Sequence, residues 1–165
     1  MKTGFYTGRF QPFHLGHLSA IKQALSVVDF LYVGIGSAQY SHEELHPFTA
    51  DERIEMITQV LEENGIKKDT EIIPIPDIHN NAEWPGYVQT LVPPFDIVFV
   101  GDDGIVKELF EKHTNISVKM VKKEVDICAS DIRAMMKKSG DWKKYLSPSV
   151  TNYLEEIDGV ERVSK

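Results

Sequence analysis

Short runs of β-favouring residues alternate along this chain with longer segments of helical periodicity, and this alternation limits the folds open to it. The runs predict five strands: Gly4–Thr7, Phe30–Ile35, Glu71–Pro76, Asp96–Val100 and Ser117–Val121. Strands that alternate with helices are typical of parallel crossover connections in an open sheet. We therefore predict one α/β domain over residues 1–165, with a doubly wound, Rossmann-like parallel sheet of about five strands in the order 3-2-1-4-5 and flanking helices.

The segments between and after the strands carry helical spacing and helix-end signals. Apolar residues recur at intervals of three and four from Leu18 to Val28, which places them on one helical face. Thr49 and Glu52 have the spacing of a capping box, and Ser130 is predicted to cap a later helix. The other predicted helices are Thr49–Glu63, Trp84–Val92, Ile105–Lys112, Ser130–Lys138 and a last helix that begins at Ser147-Pro148.

Composition excludes several functional classes. The net charge of −7 disfavours a long-range attraction for nucleic acid, so anionic substrates would need local cationic groups. Cys128 is the single cysteine, which rules out an intrachain disulfide and suits a reducing compartment. No apolar run approaches the roughly 20 residues that a membrane-spanning helix needs. We therefore expect a cytoplasmic protein that binds neither nucleic acid nor membranes.

The loop after the first strand contains an H-x-G-H pattern. Ligands of open α/β sheets bind beyond the carboxyl ends of the strands, so the segments after strands one and four are the places to look for chemistry. His14 and His17 can lie on one side of a helix start, and Gly16 would let a phosphate approach the backbone. The helix start adds free N–H groups and a positive partial charge. The pattern predicts a site for a polyphosphate whose charge grows during reaction.

Two other interpretations of this pattern exist. A lone histidine near a helix start is usually a cap or a surface residue, but two histidines around a glycine, directly after the first strand, favour ligand binding. A metal site would need a third ligand, and no residue nearby completes a recognisable spacing.

Three further residues each allow more than one role. Arg133, one turn into the helix near Ser130, offers a planar fork for phosphate oxygens, or is a solvated arginine on a capped helix. Trp84 can stack on a flat cationic ring, or pack in the core. Arg53 can bind an acceptor phosphate, lie on the helix surface, or form ion pairs with Asp51, Glu52 and Glu55.

The first loop resembles the H-x-G-H superfamily of nucleotidylyltransferases, and a series of strings resembles its archaeal-type nicotinamide mononucleotide adenylyltransferases. The resemblance extends over nearly the whole chain. The strings are Gly8-Arg9-Phe10-Gln11-Pro12-Phe13-His14-x-Gly16-His17, Gly34-Ile35-Gly36-Ser37-Ala38-Gln39, Pro47-Phe48-Thr49-Ala50-x-Glu52-Arg53, Asp77-Ile78-x-x-Asn81-x-x-Trp84, Pro93-Pro94-Phe95-Asp96 and Gly159-Val160-Glu161-Arg162. H-x-G-H alone indicates only the superfamily, whereas the strings in order indicate one family.

This resemblance implies transfer of the AMP part of ATP to nicotinamide mononucleotide (NMN), giving NAD and pyrophosphate, with Mg²⁺ accompanying the phosphates. It also implies a homo-oligomer, up to a hexamer. It assigns catalysis to His14, His17 and Arg133. It assigns ATP and phosphate binding to Gly8, Arg9, Phe10, Gly16, Gly101, Asp102, Ser130 and Ile132. It assigns acceptor binding to Arg53, Asp77, Ile78, Asn81 and Trp84.

The chain departs from the family pattern at the nucleotide end. Cys128 stands where a serine is common, which removes one hydroxyl contact. Val100-Gly101-Asp102-Asp103 stands where Ser-Gly-Asn-Pro is usual, and Asp102 cannot donate as an asparagine amide does. The upstream arginine of the family has its counterpart in Lys122 or Lys123.

Two rival functions are compatible with the same motifs. One is a nucleotidylyltransferase of the same superfamily that uses another acceptor, such as phosphopantetheine, riboflavin phosphate or a polyol phosphate. The segment with Asn81 and Trp84 favours the nicotinamide acceptor. The other is a non-catalytic nucleotide sensor, which the complete set of phosphate-binding motifs disfavours.

Overall fold

A computed structural model describes residues 1–102 and 104–165, so Asp103 of the string after strand four lies outside the described residues. Its centre is a five-stranded parallel sheet in the order β3-β2-β1-β4-β5, which confirms the predicted fold class. The strands are β1 (Thr3–Gly8), β2 (Phe30–Ile35), β3 (Thr70–Pro74), β4 (Ile97–Val100) and β5 (Ser117–Met120).

The third strand is shorter at its end than predicted. The N–H of Ile75 still donates to the carbonyl of Ile35 at 2.8 Å. Pro76 follows and has no N–H, so the ladder cannot continue through it. The strand therefore ends at Pro74, and the chain turns away to form one wall of a cavity.

Seven helices within the described ranges flank the sheet, and most agree with the predicted segments. They are α1 (Leu15–Leu25), α2 (Ala50–Glu63), α3 (Trp84–Leu91), α4 (Ile105–His113), α5 (Ala129–Lys137), α6 (Pro148–Glu156) and α7 (Gly159–Ser164). The capping box at Thr49 is confirmed: its hydroxyl accepts from the N–H of Glu52 at 3.0 Å, and Glu52 accepts from the N–H of Thr49 at 2.9 Å.

One helix prediction is wrong and one helix was not predicted. Ser130 does not cap α5, because Cys128 holds the extended cap position and Ser130 already lies in the first turn. The helix predicted from Ser147-Pro148 is α6, but a further helix, α7, follows it, because Asp158 adopts a left-handed backbone conformation with φ of 54° and separates the two.

Alternation along β1 places a hydrophobic core on each face of the sheet. Phe5 packs with Val98 and Phe110 beneath α3 and α4. Tyr6 faces the opposite core, which α1, α2, α5, α6 and α7 cover. Full burial of an aromatic side chain such as Phe5 contributes about 1.5–3 kcal/mol. Helices on both faces leave the carboxyl ends of the strands as an open edge, and no helix within the described ranges combines the length and hydrophobicity needed to cross a membrane.

Candidate active site

His14 and His17 together form the cap of α1. His14 is the N-cap residue, and its Nδ1 accepts a hydrogen bond from the N–H of Gly16 at 3.0 Å. Nδ1 of His17 accepts in turn from the N–H of His14 at 3.1 Å, and the two rings stack with centroids 3.6 Å apart. A Cβ at Gly16 would lie 2.8 Å from Cε1 of His14, so the glycine of H-x-G-H makes room for the first imidazole.

These hydrogen bonds fix where each imidazole carries its proton. Because both Nδ1 atoms accept from backbone N–H groups, each neutral ring must carry its proton on Nε2. Burial, and to a lesser degree the charge of Lys123, lower the pKa of His14 to about 4. Burial and then His14 hold the pKa of His17 well below its usual value. The pair is therefore neutral at physiological pH and presents two Nε2–H donors.

Aromatic rings hold the second imidazole in place. Phe10 meets the ring of His17 edge-on at 4.7 Å between centroids, and Phe13 stacks on it at 5.4 Å. Phe10 has a left-handed backbone with φ of 55°, which folds its ring back under the loop. Nowhere in residues 1–102 and 104–165 do three His, Cys, Asp or Glu side chains converge as a metal site.

A cavity of about 290 Å³, here called the β4–β5 cavity, opens on one side of the histidine pair. Its walls are His14, Gly16 and His17 from the start of α1, Gly101 and Asp102 after β4, and residues 121–125 after β5. Tyr6 also lines it, as do Cys128 and Ala129 at the start of α5. The structure thus brings three of the residues predicted to bind ATP, Gly16, Gly101 and Asp102, together with both histidines.

A second cavity of about 370 Å³, here called the β2–β3 cavity, lies beyond the ends of β1, β2 and β3, with Ile105, Val106 and Leu109 of α4 as one wall. It contains Asp77, Asn81 and Trp84 together with Gly8 and Arg9. Thr7, Gly36 and Ser37 also line it, although the sequence analysis did not assign them to a site. Both volumes are close to the lower end of the range for small-molecule pockets, about 300–1,000 Å³.

Trp84 combines the two roles considered for it. It is half-buried and meets Phe110 edge-on, with centroids 5.8 Å apart, so it supports the core beneath α3 and α4. It also lines the β2–β3 cavity beside Asn81. Gln39 braces the same wall, because its side-chain amide exchanges two hydrogen bonds of 2.8 Å with the backbone of Asp77.

A third, smaller cavity of about 240 Å³, here called the arginine pocket, lies between the first loop and the start of α5. Arg9 and Arg133 both line it, with His17 and Ser130. Arg133 donates from Nη1 to the carbonyl of Gln11 at 2.8 Å. Burial lowers the pKa of Arg133, and Arg9 acts in the same direction while Cys128 and Glu44 oppose it. Two cations beside a helix start suit an anion between them.

Arg53 lies beneath this site rather than in it. Its side chain is fully buried, and its guanidinium donates to the carbonyls of Thr49, Arg9, Gly36 and Ser37 at 2.8–3.3 Å. Burial lowers the pKa of Arg53 to about 10, with Glu52 opposing the shift. The suggested ion pair with Glu52 is wrong, because that carboxylate pairs with Arg162 of α7. Arg53 ties the loops after β1 and β2 to the start of α2.

Two other residues assigned from the sequence do not line the three cavities. Ile132 is fully buried in the core, and its N–H donates to the carbonyl of Cys128 within α5, so neither its side chain nor its amide is available there. Ile78 lies beside Asp77 but is absent from the walls described above.

Comparison with known proteins finds a family profile and related sequences that match most of the chain. The profile of the cytidylyltransferase-like family matches residues 5–152. The chain is 41% identical to the nicotinamide-nucleotide adenylyltransferase of Thermococcus onnurineus, over 98% of this chain and 87% of that protein. It is 40% identical to the enzyme of the same name from Methanolobus tindarius, over 99% and 93%.

A solved structure shows the same fold. A bifunctional NMN adenylyltransferase/ADP ribose pyrophosphatase from Francisella tularensis superposes with a TM-score of 0.80 at 22% identity. The match covers 99% of this chain and 52% of that one, so this chain spans about half the length of the Francisella protein.

Proposed function

We propose, because the chain belongs to the cytidylyltransferase-like family and to the nicotinamide-nucleotide adenylyltransferases within it, that it joins the AMP part of ATP to NMN and releases pyrophosphate. The observation that carries this proposal is the pair of neutral imidazoles: both line the β4–β5 cavity, and His17 also lines the arginine pocket.

The strand order supports one arrangement of the substrates. Neighbouring strands lie about 4.8 Å apart, so the ends of β4 and β5 are one and two strands away from the histidines above β1. ATP in the β4–β5 cavity would place its phosphates at the histidines and its base near the end of β5. NMN would occupy the β2–β3 cavity on the opposite side, with its ring on Trp84 and its phosphate directed toward β1.

The chemistry proposed here is an in-line displacement at phosphorus. An oxygen of the NMN phosphate forms a bond to the α-phosphorus of ATP, and the bond from that phosphorus to the bridging oxygen of the β-phosphate breaks. The electron pair leaves with pyrophosphate. A phosphate nucleophile is already ionised near neutral pH, so no general base is needed and catalysis rests on alignment and charge stabilisation.

Each residue of the first loop and of α5 then has a defined task. The Nε2–H groups of His14 and His17 donate to phosphate oxygens whose negative charge grows as the bond breaks. Arg133 and Arg9 hold the departing pyrophosphate in the arginine pocket, beside the free N–H groups at the start of α5. Arg53 acts on the loops through their carbonyl groups.

We also propose Mg²⁺ as the cofactor. The three cavities contain few carboxylates, Asp77, Asp102 and Glu124 among them, and these line different walls. Such a site suits an ion that is held mainly by phosphates and water. When bound, the ion neutralises charge on the triphosphate. A homo-oligomer of up to six chains rests on the family resemblance, and light scattering of the purified protein tests it.

The decisive experiment offers the protein ATP with NMN, nicotinic acid mononucleotide, phosphopantetheine, riboflavin phosphate and glycerol phosphate in parallel. We expect stoichiometric NAD and pyrophosphate with NMN. Product from a different acceptor would identify another member of the superfamily. ATP binding without pyrophosphate release from any acceptor would make the protein a nucleotide sensor and refute the proposal.

A further inference from the structure

Tyr6 is a buried polar residue to which neither the motifs nor the proposed chemistry assigns a task. It lies in β1 between Val33 of β2 and Phe99 of β4. Only 7% of it is exposed, and its ring packs against Phe10 with centroids 6.0 Å apart. Its side chain lines the β4–β5 cavity. No hydrogen bond joins its hydroxyl to another described residue, and the oxygen is not among the fully buried polar atoms without a partner, so it is accessible from the cavity.

Asp102 lines the same cavity, directly after β4. Its Oδ1 accepts from the N–H of Gly104 at 2.9 Å, and its Oδ2 makes no hydrogen bond to the residues that the structure describes. Burial and then the charge of Asp102 raise the pKa of Tyr6 above its usual value. The tyrosine hydroxyl is therefore un-ionised and can donate a hydrogen bond, while the carboxylate beside it can only accept one.

A tyrosine hydroxyl that donates and a carboxylate that accepts suit a ligand hydroxyl better than a ligand phosphate. A carboxylate repels an anion, so Asp102 disfavours a phosphate in this part of the cavity. A sugar hydroxyl can donate to the carboxylate and accept from the tyrosine at the same time. The position also suits a sugar, because the end of β4 lies one strand from the histidines and the end of β5, on the base side, lies one strand further.

We propose that the Tyr6 hydroxyl, together with Asp102, binds a ribose hydroxyl of the nucleoside triphosphate and so selects ribonucleotides over deoxyribonucleotides. This assignment rests on the proposed function for the identity of the ligand, ATP. The proposal adds Tyr6 as a substrate-binding residue. The sequence pattern could not identify it, because a tyrosine in a buried strand looks like a packing residue.

The test compares Tyr6→Phe with the wild-type protein on ATP, 2′-deoxy-ATP and 3′-deoxy-ATP. Loss of one neutral hydrogen bond predicts a rise of about 2- to 12-fold in the KM for ATP, with the KM for NMN unchanged. For one of the two deoxy analogues, the variant and the wild-type protein should have the same KM, because the partner of the hydroxyl is already missing. Tyr32→Phe is the matched control. Tyr32 is 8% exposed and belongs to the core beneath α3 and α4, so the KM of this variant for ATP should equal that of the wild-type protein.

Two results would overturn the assignment. One is an unchanged KM for ATP in Tyr6→Phe with a melting temperature like that of the wild-type protein. The other is an equal loss of affinity for ATP and for both deoxy analogues, which would mean that the hydroxyl does not contact the sugar. Calorimetric binding of the three nucleotides gives the same comparison without turnover, so a protein that failed to make NAD would refute the proposed function and leave this test intact.

Discussion

At the scale of single residues, each of the two histidines uses Nδ1 to hold the start of α1, which leaves Nε2 for the proposed reaction. Both residues line the β4–β5 cavity. The sequence predicted the importance of the pair because H-x-G-H follows a strand. It could not predict that the rings cap the helix themselves, since histidine has no strong preference for that position.

Replacing His14 with asparagine separates these tasks. The amide oxygen of asparagine can accept from the N–H of Gly16, as Nδ1 does, but the variant has no donor in the place of Nε2–H. We expect kcat to fall by about 10²- to 10³-fold, the effect of losing one transition-state donor. The fold should remain, as judged by circular dichroism and denaturant unfolding.

His14→Ala is the comparison for this variant. It loses the cap as well, which should cost about 1 kcal/mol of the free energy of unfolding in addition to the loss of turnover. Near-normal kcat in His14→Asn would mean that the imidazole serves the helix and not the reaction.

Arg53 was singled out from the sequence with several roles open, and the structure places it beneath the cavities, where it holds the loops through their carbonyls. Arg53→Met retains much of the length of the side chain but removes the guanidinium from four carbonyls. The carbonyls of Thr49 and Ser37 keep a backbone N–H donor, whereas those of Arg9 and Gly36 have no other donor among the described residues. Since each unsatisfied group costs about 1–3 kcal/mol, we expect the free energy of unfolding to fall by about 2 kcal/mol or more. Urea unfolding measures this loss.

Arg133→Met is the matched control, because Arg133 is half-buried and makes one hydrogen bond, to the carbonyl of Gln11. It should lose about 1 kcal/mol of stability and most of its turnover. If Arg53→Met unfolded like the wild-type protein and only raised the KM for NMN, the direct phosphate contact considered from the sequence would be correct after all.

At the scale of the elements, the start of α5 is where sequence and structure diverge most. Serine is a strong capping residue, so Ser130 attracted the prediction. In the structure Cys128 has the extended backbone of a cap, with φ of −130° and ψ of 160°, and its Sγ lies 3.0 Å from the hydroxyl of Ser130. The strand and helix boundaries are otherwise close to those expected, because hydrophobic period and turn residues determine them locally.

This placement makes Cys128 a chemical probe of the site. It is exposed, it borders both the β4–β5 cavity and the arginine pocket, and no other cysteine occurs in the sequence. We expect N-ethylmaleimide to add one group per chain and to abolish NAD formation. ATP should slow the alkylation, because the added group and the nucleotide would occupy the same space. Mass spectrometry and residual activity measure the two effects.

Cys128→Ser should resist the reagent and remain active, since serine suits the cap position. Full activity of the alkylated wild-type protein would place the triphosphate elsewhere.

At the scale of the whole molecule, the strand order is the part of the fold that sequence predicted best. Alternating strands and helices allow few parallel sheets, and the order 3-2-1-4-5 brings the loops after β1, β2, β3, β4 and β5 to one edge. The division of that edge into separate cavities was not predictable, because it depends on how side chains such as Tyr6 and Arg53 meet across elements far apart in the chain.

The buried histidines also make global stability depend on pH. The pKa of His14 is about 4 in the folded protein and near 6.5 in the unfolded chain, and that of His17 is lowered as well. Between these values the unfolded chain binds more protons, so the free energy of unfolding rises with pH through this window and falls on acidification from about pH 6.5 toward 4. Urea unfolding of the wild-type protein at pH 7.5, 6.0 and 5.0 should show this slope.

His14→Asn supplies the reference for that slope, because it removes one of the titrating groups and retains the carboxylates. We expect a shallower dependence in the variant over the same three pH values. Parallel curves for the two proteins would show that His14 takes up its proton as readily when folded as when unfolded.

The arginine pocket is a cavity of its own that shares Arg9 with the β2–β3 cavity and His17 with the β4–β5 cavity, and this bears on how a reaction cycle would end. A dinucleotide would span both sides of β1 and stay anchored at each end, whereas the inorganic fragment would rest between Arg9 and Arg133, and Arg9 is exposed. Each product would thus have its own exit to solvent, and the smaller one could depart while the larger one is still seated.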